Sequence, residues 1–358
     1  LAMATLAIPS PEKLIRREGA RLDRELELQI LADGGHVSRN PRAALEILLD
    51  LLPLRQTYIN LGYDVPQKLI PTIDRIYPAL RFFRHQDGDL ALFNGASATP
   101  AAELSAVLRY DETGGKPFKA LPHCHYHRLT AGLVDTGRPL SPDLSRGAHA
   151  GYLCFEFSAG RSRFIVNAGA PKFAGRTYRQ LSRATAAHST VTLGETSSAR
   201  IATSRLLGPL LLDGAETFSV QRWEDAYGND WLKASHDGYV LPFGYVHQRE
   251  IGLAAKGHRI KGHDHFFVPE GAEGKPVSGT ARFHIHPSVM LSRVDAETIS
   301  MEGADGEVWL FTAPGLDVGI EEDVFFADVS GMRPSQQLVI DFELPGTSDL
   351  RWMLKQQV

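Results

Sequence analysis

His149-Ala-Gly-Tyr-Leu-Cys-Phe-Glu-Phe157, Phe164-Ile-Val-Asn-Ala-Gly169 and Arg183-Ala-Thr-Ala-Ala-His-Ser-Thr-Val191 are the runs that decide how this chain folds. In the first, Tyr152, Cys154 and Glu156 alternate with Leu153, Phe155 and Phe157, the period-two pattern of a strand whose side chains point to opposite faces. Phe164-Ile-Val166 and Thr190-Val-Thr-Leu193 are short β-forming stretches closed by Gly, Asn or polar residues, as turns require. Phe283-His-Ile-His286 continues the pattern, and short strands with regular turns run on to Val358. No helices of crossover length alternate with them, so the sheet they build is antiparallel and folds as a sandwich.

Upstream the period changes. Ser10-Pro11-Glu12 reads as a helix start, followed by a stripe of Leu22, Leu26 and Ile30. Asn40-Pro41 opens a second helix bearing Leu45, Leu48, Leu49 and Leu52, and Asn40 is its expected N-cap. Pro66 opens a third with Leu69, Ile70, Ile73 and Leu80, and Thr99-Pro100 a fourth with Leu104, Val107 and Leu108. The expected fold is therefore α+β and multidomain: helical hairpins over residues 1–115 and a large antiparallel β-sandwich over 116–358.

A length of 358 residues, 43% hydrophobic and 22% charged, is enough for two well-filled cores. The formal charge of −4 argues against a nucleic-acid binder, which needs clustered Lys and Arg over its surface. No uncharged apolar run is long enough to span a bilayer. Cys124 and Cys154 are too few for a disulfide framework and read as free thiols. The opening Leu1-Ala-Met-Ala lacks the basic and apolar regions of a signal peptide. Oligomeric state is left open.

Histidine is the most suggestive residue type, with 14 copies. His123, His125 and His127 recur at period two and would share one face of a strand, as metal ligands or as packing residues. His284 and His286 have the same spacing, whereas His258, His263 and His265 read as solvated loop residues. His149, Asn167 and His188 each fall at a strand edge, where neighbouring strands could gather them. Arg146, Arg161, Arg163, Arg176, Arg179 and Arg183 surround that segment, either as a solvated face or as a cleft for carboxylate or sulfate. His36 and Arg39 follow the turn Asp33-Gly34-Gly35 and are cleft candidates, and Asn94 is a turn former or an amide donor.

The three opening runs, with Ile30-Leu-Ala-Asp-Gly-Gly-His-Val-Ser-Arg-Asn-Pro41, resemble the heparinase II/III-like polysaccharide lyases over nearly the whole chain. The resemblance implies the C-terminal part of an α/α-toroid followed by the family's β-sandwich, a periplasmic setting, and an anionic polysaccharide or oligosaccharide as partner. It implies β-elimination on a uronic-acid glycan, which needs a carboxylate neutraliser, a base and an acid. Arg39 would neutralise, His36 would serve as acid or base, and His149 would sit across the cleft. Asn94, Arg146, Arg179 and Arg183 would bind substrate. It also implies zinc held by His149, Asn167 and His188, although Asn167 stands where a carboxylate is usual and an amide is a weak donor. Two departures favour an alternative, a noncatalytic glycan-binding member. Gly147 takes the place of the catalytic imidazole, and the tyrosine expected after the toroid loop is replaced by Arg42-Ala43, with Tyr58 or Tyr178 as spatial substitutes. A hydrolase using Asp33 and Glu46 is a third reading.

Overall fold

The computed structural model describes residues 1–202, 204, 206 and 208–357. The helical half contains α1 (Ala2–Ala7), α2 (Glu12–Gln29), α3 (Pro41–Asn60), α4 (Leu69–Phe83) and α5 (Ala101–Leu108). The Asn40 side chain accepts from Arg42 N at 2.9 Å and so caps α3 as the sequence implies. The α4 start lies three residues beyond Pro66, because both Asp23 oxygens, reaching from α2, accept the backbone N–H groups of Gln67 and Lys68. Leu45, Leu48, Leu69, Ile73, Ile76 and Leu80 are fully buried where α3 and α4 face each other. That core does not stop at the helices: Leu121, Tyr126, Leu133 and Cys154, from the start of the β region, belong to it.

Helices give way to strands between Leu108 and Ala120. One sheet runs Ala120–Leu121, Tyr126–Leu129, Gly132–Asp135, Phe155–Ala159, Ser162–Val166, Val277–Ile285, Gly331–Leu344, Gly319–Asp328, with Val191–Leu193 also paired to Val277–Ile285. The second runs Met290–Arg293, Thr298–Glu302, Val308–Thr312, Asp349–Gln356, Arg259–Phe267, Tyr245–Leu253, Asp230–Tyr239, Phe218–Glu224. The pairings within both sheets are antiparallel, as expected for a sandwich. Aromatic side chains join the layers: Phe155 stacks on Trp352 at 5.1 Å, Phe157 meets Trp309 edge-on at 4.7 Å and Phe283 meets Phe311 at 4.7 Å.

Phe155–Ala159 is buried on both faces, so its expected polar and apolar alternation does not become an exposed and a buried face. The helical half covers one side and the second sheet the other. His123, His125 and His127 do not share a strand face: residues 122–125 form a turn, His125 has a φ of 57°, and the strand begins at Tyr126. The cause is Asp33, whose carboxylate accepts the backbone N–H groups of His123 and Cys124. His263 and His265, expected in a loop, lie on the strand Arg259–Phe267.

Candidate functional site

A hollow of about 540 Å³ opens where the last loop of the helical half meets the first sheet. Gly95 lines it from the helical side. Arg146, Gly147, His149 and Arg183 line it from the β side, and α6 (Arg176–Leu181) contributes Arg176, Arg179 and Gln180. Four expected site residues therefore share one wall: His149, Arg146, Arg179 and Arg183. Gly95 keeps the entrance open. At its φ of 83° a Cβ would lie 2.8 Å from the Gly147 carbonyl oxygen.

His149 is the imidazole of the hollow, and its partners fix its tautomer. His188 Nδ1 lies 2.8 Å from the Ala184 carbonyl, which only accepts, so His188 carries its proton there and presents a lone pair on Nε2. That nitrogen is 3.0 Å from His149 Nδ1, which must donate. His149 Nε2 is left as a lone pair, and a Cβ on Gly95 would lie 3.6 Å from it, on the hollow side. Burial first, then His188 and Arg183, push the His149 pKa well below the usual imidazole value. Burial likewise lowers His188 to about 4. At neutral pH His149 is an uncharged acceptor and a weak base.

Arg183 is buried, and its guanidinium donates only to carbonyls: Ala148 O at 2.7 Å, Pro209 O at 2.7 Å and Ser145 O at 2.9 Å. No carboxylate neutralises it among the described residues, and burial draws its pKa down to about 10. It still carries its charge at neutral pH and lends the wall a positive field. Arg146 and Arg179 are exposed, and their guanidinium groups have no hydrogen-bond or ion-pair partner among the described residues. No Asp, Glu or Tyr is among the described residues that line the hollow. The surface can take an anion, with Arg forks suited to carboxylate or sulfate.

The toroid-loop residues stand elsewhere. Arg39 does not line the hollow: it ion-pairs with Asp135, donates to Cys124 O at 2.9 Å and Arg138 O at 3.2 Å, and lies over the Tyr126 ring. A guanidinium so engaged, only 6% exposed, is not available to neutralise a substrate carboxylate. His36 is half-buried and outside the hollow, its Nδ1 2.7 Å from Ser38 Oγ. Asn94 combines both of its expected characters. Its φ is 46°, its amide donates to Tyr126 Oη at 2.8 Å and Asp135 Oδ2 at 3.0 Å, and its carbonyl oxygen accepts His149 N at 3.4 Å. It positions His149 from behind. Asp135, which sequence reasoning missed, is the hub of this junction, and nothing in Leu133-Val-Asp-Thr136 marks it. Asp33 holds the His123 turn and Glu46 pairs with Arg42, so neither hydrolase candidate faces the hollow.

Residues 113–353 match the heparinase II/III-like C-terminal family. The chain belongs to that heparinase II/III-like family. FtsZ-localized protein C of Caulobacter vibrioides (strain NA1000 / CB15N) is 32% identical over 99% of this chain, which spans 63% of that relative's length. Among solved structures, heparan sulfate lyase HepC from Pedobacter heparinus superposes with a TM-score of 0.71 at 15% identity, covering 99% of this chain and 58% of the lyase. A heparinase III structure gives 0.70 at 13% identity, covering 96% of this chain and 57% of that one. At such identities the likeness is one of fold.

Two features of the heparinase-like hollow bear on its chemistry. Gly147, where the resemblance expects a proton-transferring imidazole, faces open space: a Cβ there would meet nothing within 4 Å. The second is the zinc set, which the donors present do not complete. His149 Nδ1 and His188 Nε2 are turned on each other, and Asn167 is engaged at both ends, accepting from Ser189 N at 3.1 Å and donating to Glu156 at 3.0 Å. Among the described residues no third His, Cys, Asp or Glu donor closes on the His149 and His188 pair. Glu156 is itself saturated, accepting Leu92 N and Asn167 N at 3.0 Å and His85 Nε2 at 2.8 Å, which ties the helical half to the sheet.

Proposed function

We propose that the hollow binds an anionic saccharide and holds it without cleaving it. The observation that carries this reading is the composition of the wall among the described residues: arginines, one neutral imidazole and no Asp, Glu or Tyr as a second proton-transfer group. Sulfate or carboxylate groups meet Arg146 and Arg179 in the field of Arg183, and a sugar hydroxyl donates to His149 Nε2. β-Elimination needs a neutraliser, a base and an acid acting on one uronate. Here the expected neutraliser Arg39 is committed to Asp135, Gly147 offers no side chain, and His149 is a weak base.

The full-length protein is expected to retain heparan sulfate or another uronate polysaccharide in a salt-sensitive manner, with no rise in ultraviolet absorbance from unsaturated uronate ends. Arg146→Ala and Arg179→Ala should each weaken affinity roughly tenfold or more, the scale of a lost charge-assisted hydrogen bond. The lyase reading rests on the His149 Nε2 lone pair. An absorbance rise that His149→Ala abolishes would replace binding with elimination, and the absence of retention across a panel of uronate glycans would refute both.

A further inference from the structure

The outer face of the second sheet carries a different set of donors. His263 and His265 alternate on the strand Arg259–Phe267, so both project from one face, and Asp349 is the register partner of His265 on the neighbouring strand. Asp349 Oδ1 lies 2.6 Å from His263 Nε2 and 3.0 Å from His265 Nδ1. One ligand atom from each residue lies within 4.8 Å of the others. We propose that His263, His265 and Asp349 form a binding site for a divalent transition-metal ion of the zinc, nickel and copper class.

Three observations carry it. Two imidazoles and one carboxylate are the donor set these metals take, and calcium or magnesium, which prefer all-oxygen surroundings, do not. The donors stand on paired strands whose register holds from Arg259 to His265, so their spacing is set by backbone and not by mobile loops. Their side chains are 30%, 33% and 45% exposed, leaving a metal open to solvent ligands. Apart from the two imidazoles, Asp349 is bound only by the neighbouring Ser348 hydroxyl at 3.1 Å, so no Lys or Arg neutralises it among the described residues. Glu250 lies directly across from His263 on the other flanking strand, and its carboxylate, without a hydrogen bond or ion pair among the described residues, is a second one on the same face. Arg351 lies directly across from His263 on the Asp349 strand and Lys233 directly across from Glu250, so two cations share this face with the donors.

Calorimetric titration of tag-free, metal-stripped full-length protein with zinc or nickel chloride is the test, with copper(II) electron paramagnetic resonance as a second readout. One saturable site and hyperfine structure from two imidazole nitrogens are expected. Affinity should fall at least tenfold in His263→Ala and in Asp349→Ala, and the two-nitrogen signal should vanish in the His263→Ala/His265→Ala pair. His149→Ala should leave both readouts unchanged. Circular dichroism melting reports whether the exposed-face variants keep the fold, and His265→Gln serves if an alanine variant does not. Absence of saturable binding up to millimolar metal, or a signal unaltered in the paired His variant, overturns the proposal.

Discussion

Asp264→Ala is expected to cost about 3–5 kcal/mol of folding stability, the scale of breaking a buried ion pair from one side. Asp264 is completely buried between the sheets. Its carboxylate accepts Arg249 Nε at 2.6 Å and Nη2 at 3.0 Å, His247 Nε2 at 2.7 Å and Trp352 Nε1 at 3.0 Å. Arg249 carries the network onward, donating through Nη1 to Leu153 O at 3.0 Å and Ser189 O at 2.8 Å, and so ties the second sheet to the two runs that end in the hollow. Alanine would leave a buried guanidinium with no counter-charge and two ring donors with no acceptor. Asp264→Asn keeps the shape but loses the charge, and should fall between wild type and alanine. Equilibrium urea unfolding reads the difference as a displaced midpoint. A loss under about 1 kcal/mol, the range of an ordinary hydrogen bond, would show that the network contributes far less than its burial implies.

The same strand explains where sequence reading fell short. Its inward positions are Ile260, Gly262, Asp264 and Phe266, of which only two are apolar. The dense β-forming run that marked Phe164–Val166 and Thr190–Leu193 was therefore absent, and the histidines between those positions looked like a loop. Gly262 is small because the Trp352 indole lies against it, where a Cβ would come within 2.0 Å of the ring, and Asp264 is tolerated because Arg249, fifteen positions earlier, meets it. Both reasons are tertiary. Arg39 is a similar case: its partner Asp135 comes 96 positions later, and no local pattern announces it. Local signals with a local cause were legible, such as the Asn40 cap; the placement of His149 was not, because it lies in irregular chain six residues before the strand Phe155–Ala159 and meets His188 through the loops. The arginine wall was legible as a cluster. Which of its members stay free was not, because that depends on backbone carbonyls such as Ala148 and Ser145 turning inward beneath Arg183.

Acidification from pH 6.5 to about 4 is the second large effect expected, because several histidines are buried in the neutral form. Burial lowers His188 and His127 to about 4 and His286 to about 3, and it also pushes His149, His236 and His247 down. An unfolded histidine takes up a proton near pH 6.5, and these folded ones refuse it. Their contribution is thus complete above pH 6.5 and drains away as the pH falls toward the folded values. For His188 alone, a displacement from 6.5 to about 4 corresponds to roughly 3 kcal/mol at the acid end. Urea midpoints measured at pH 7, 6 and 5 should fall steadily, and a flat profile would contradict neutral burial. His149 allows a sharper check, since it is the member of this group that lines the hollow. A bound anionic saccharide would stabilise a proton on its Nε2, so saturating glycan should hold the protein folded to lower pH than an equal concentration of a neutral one. The protection should shrink in His149→Gln. If glycan charge makes no difference to acid unfolding, the anion does not sit beside this imidazole.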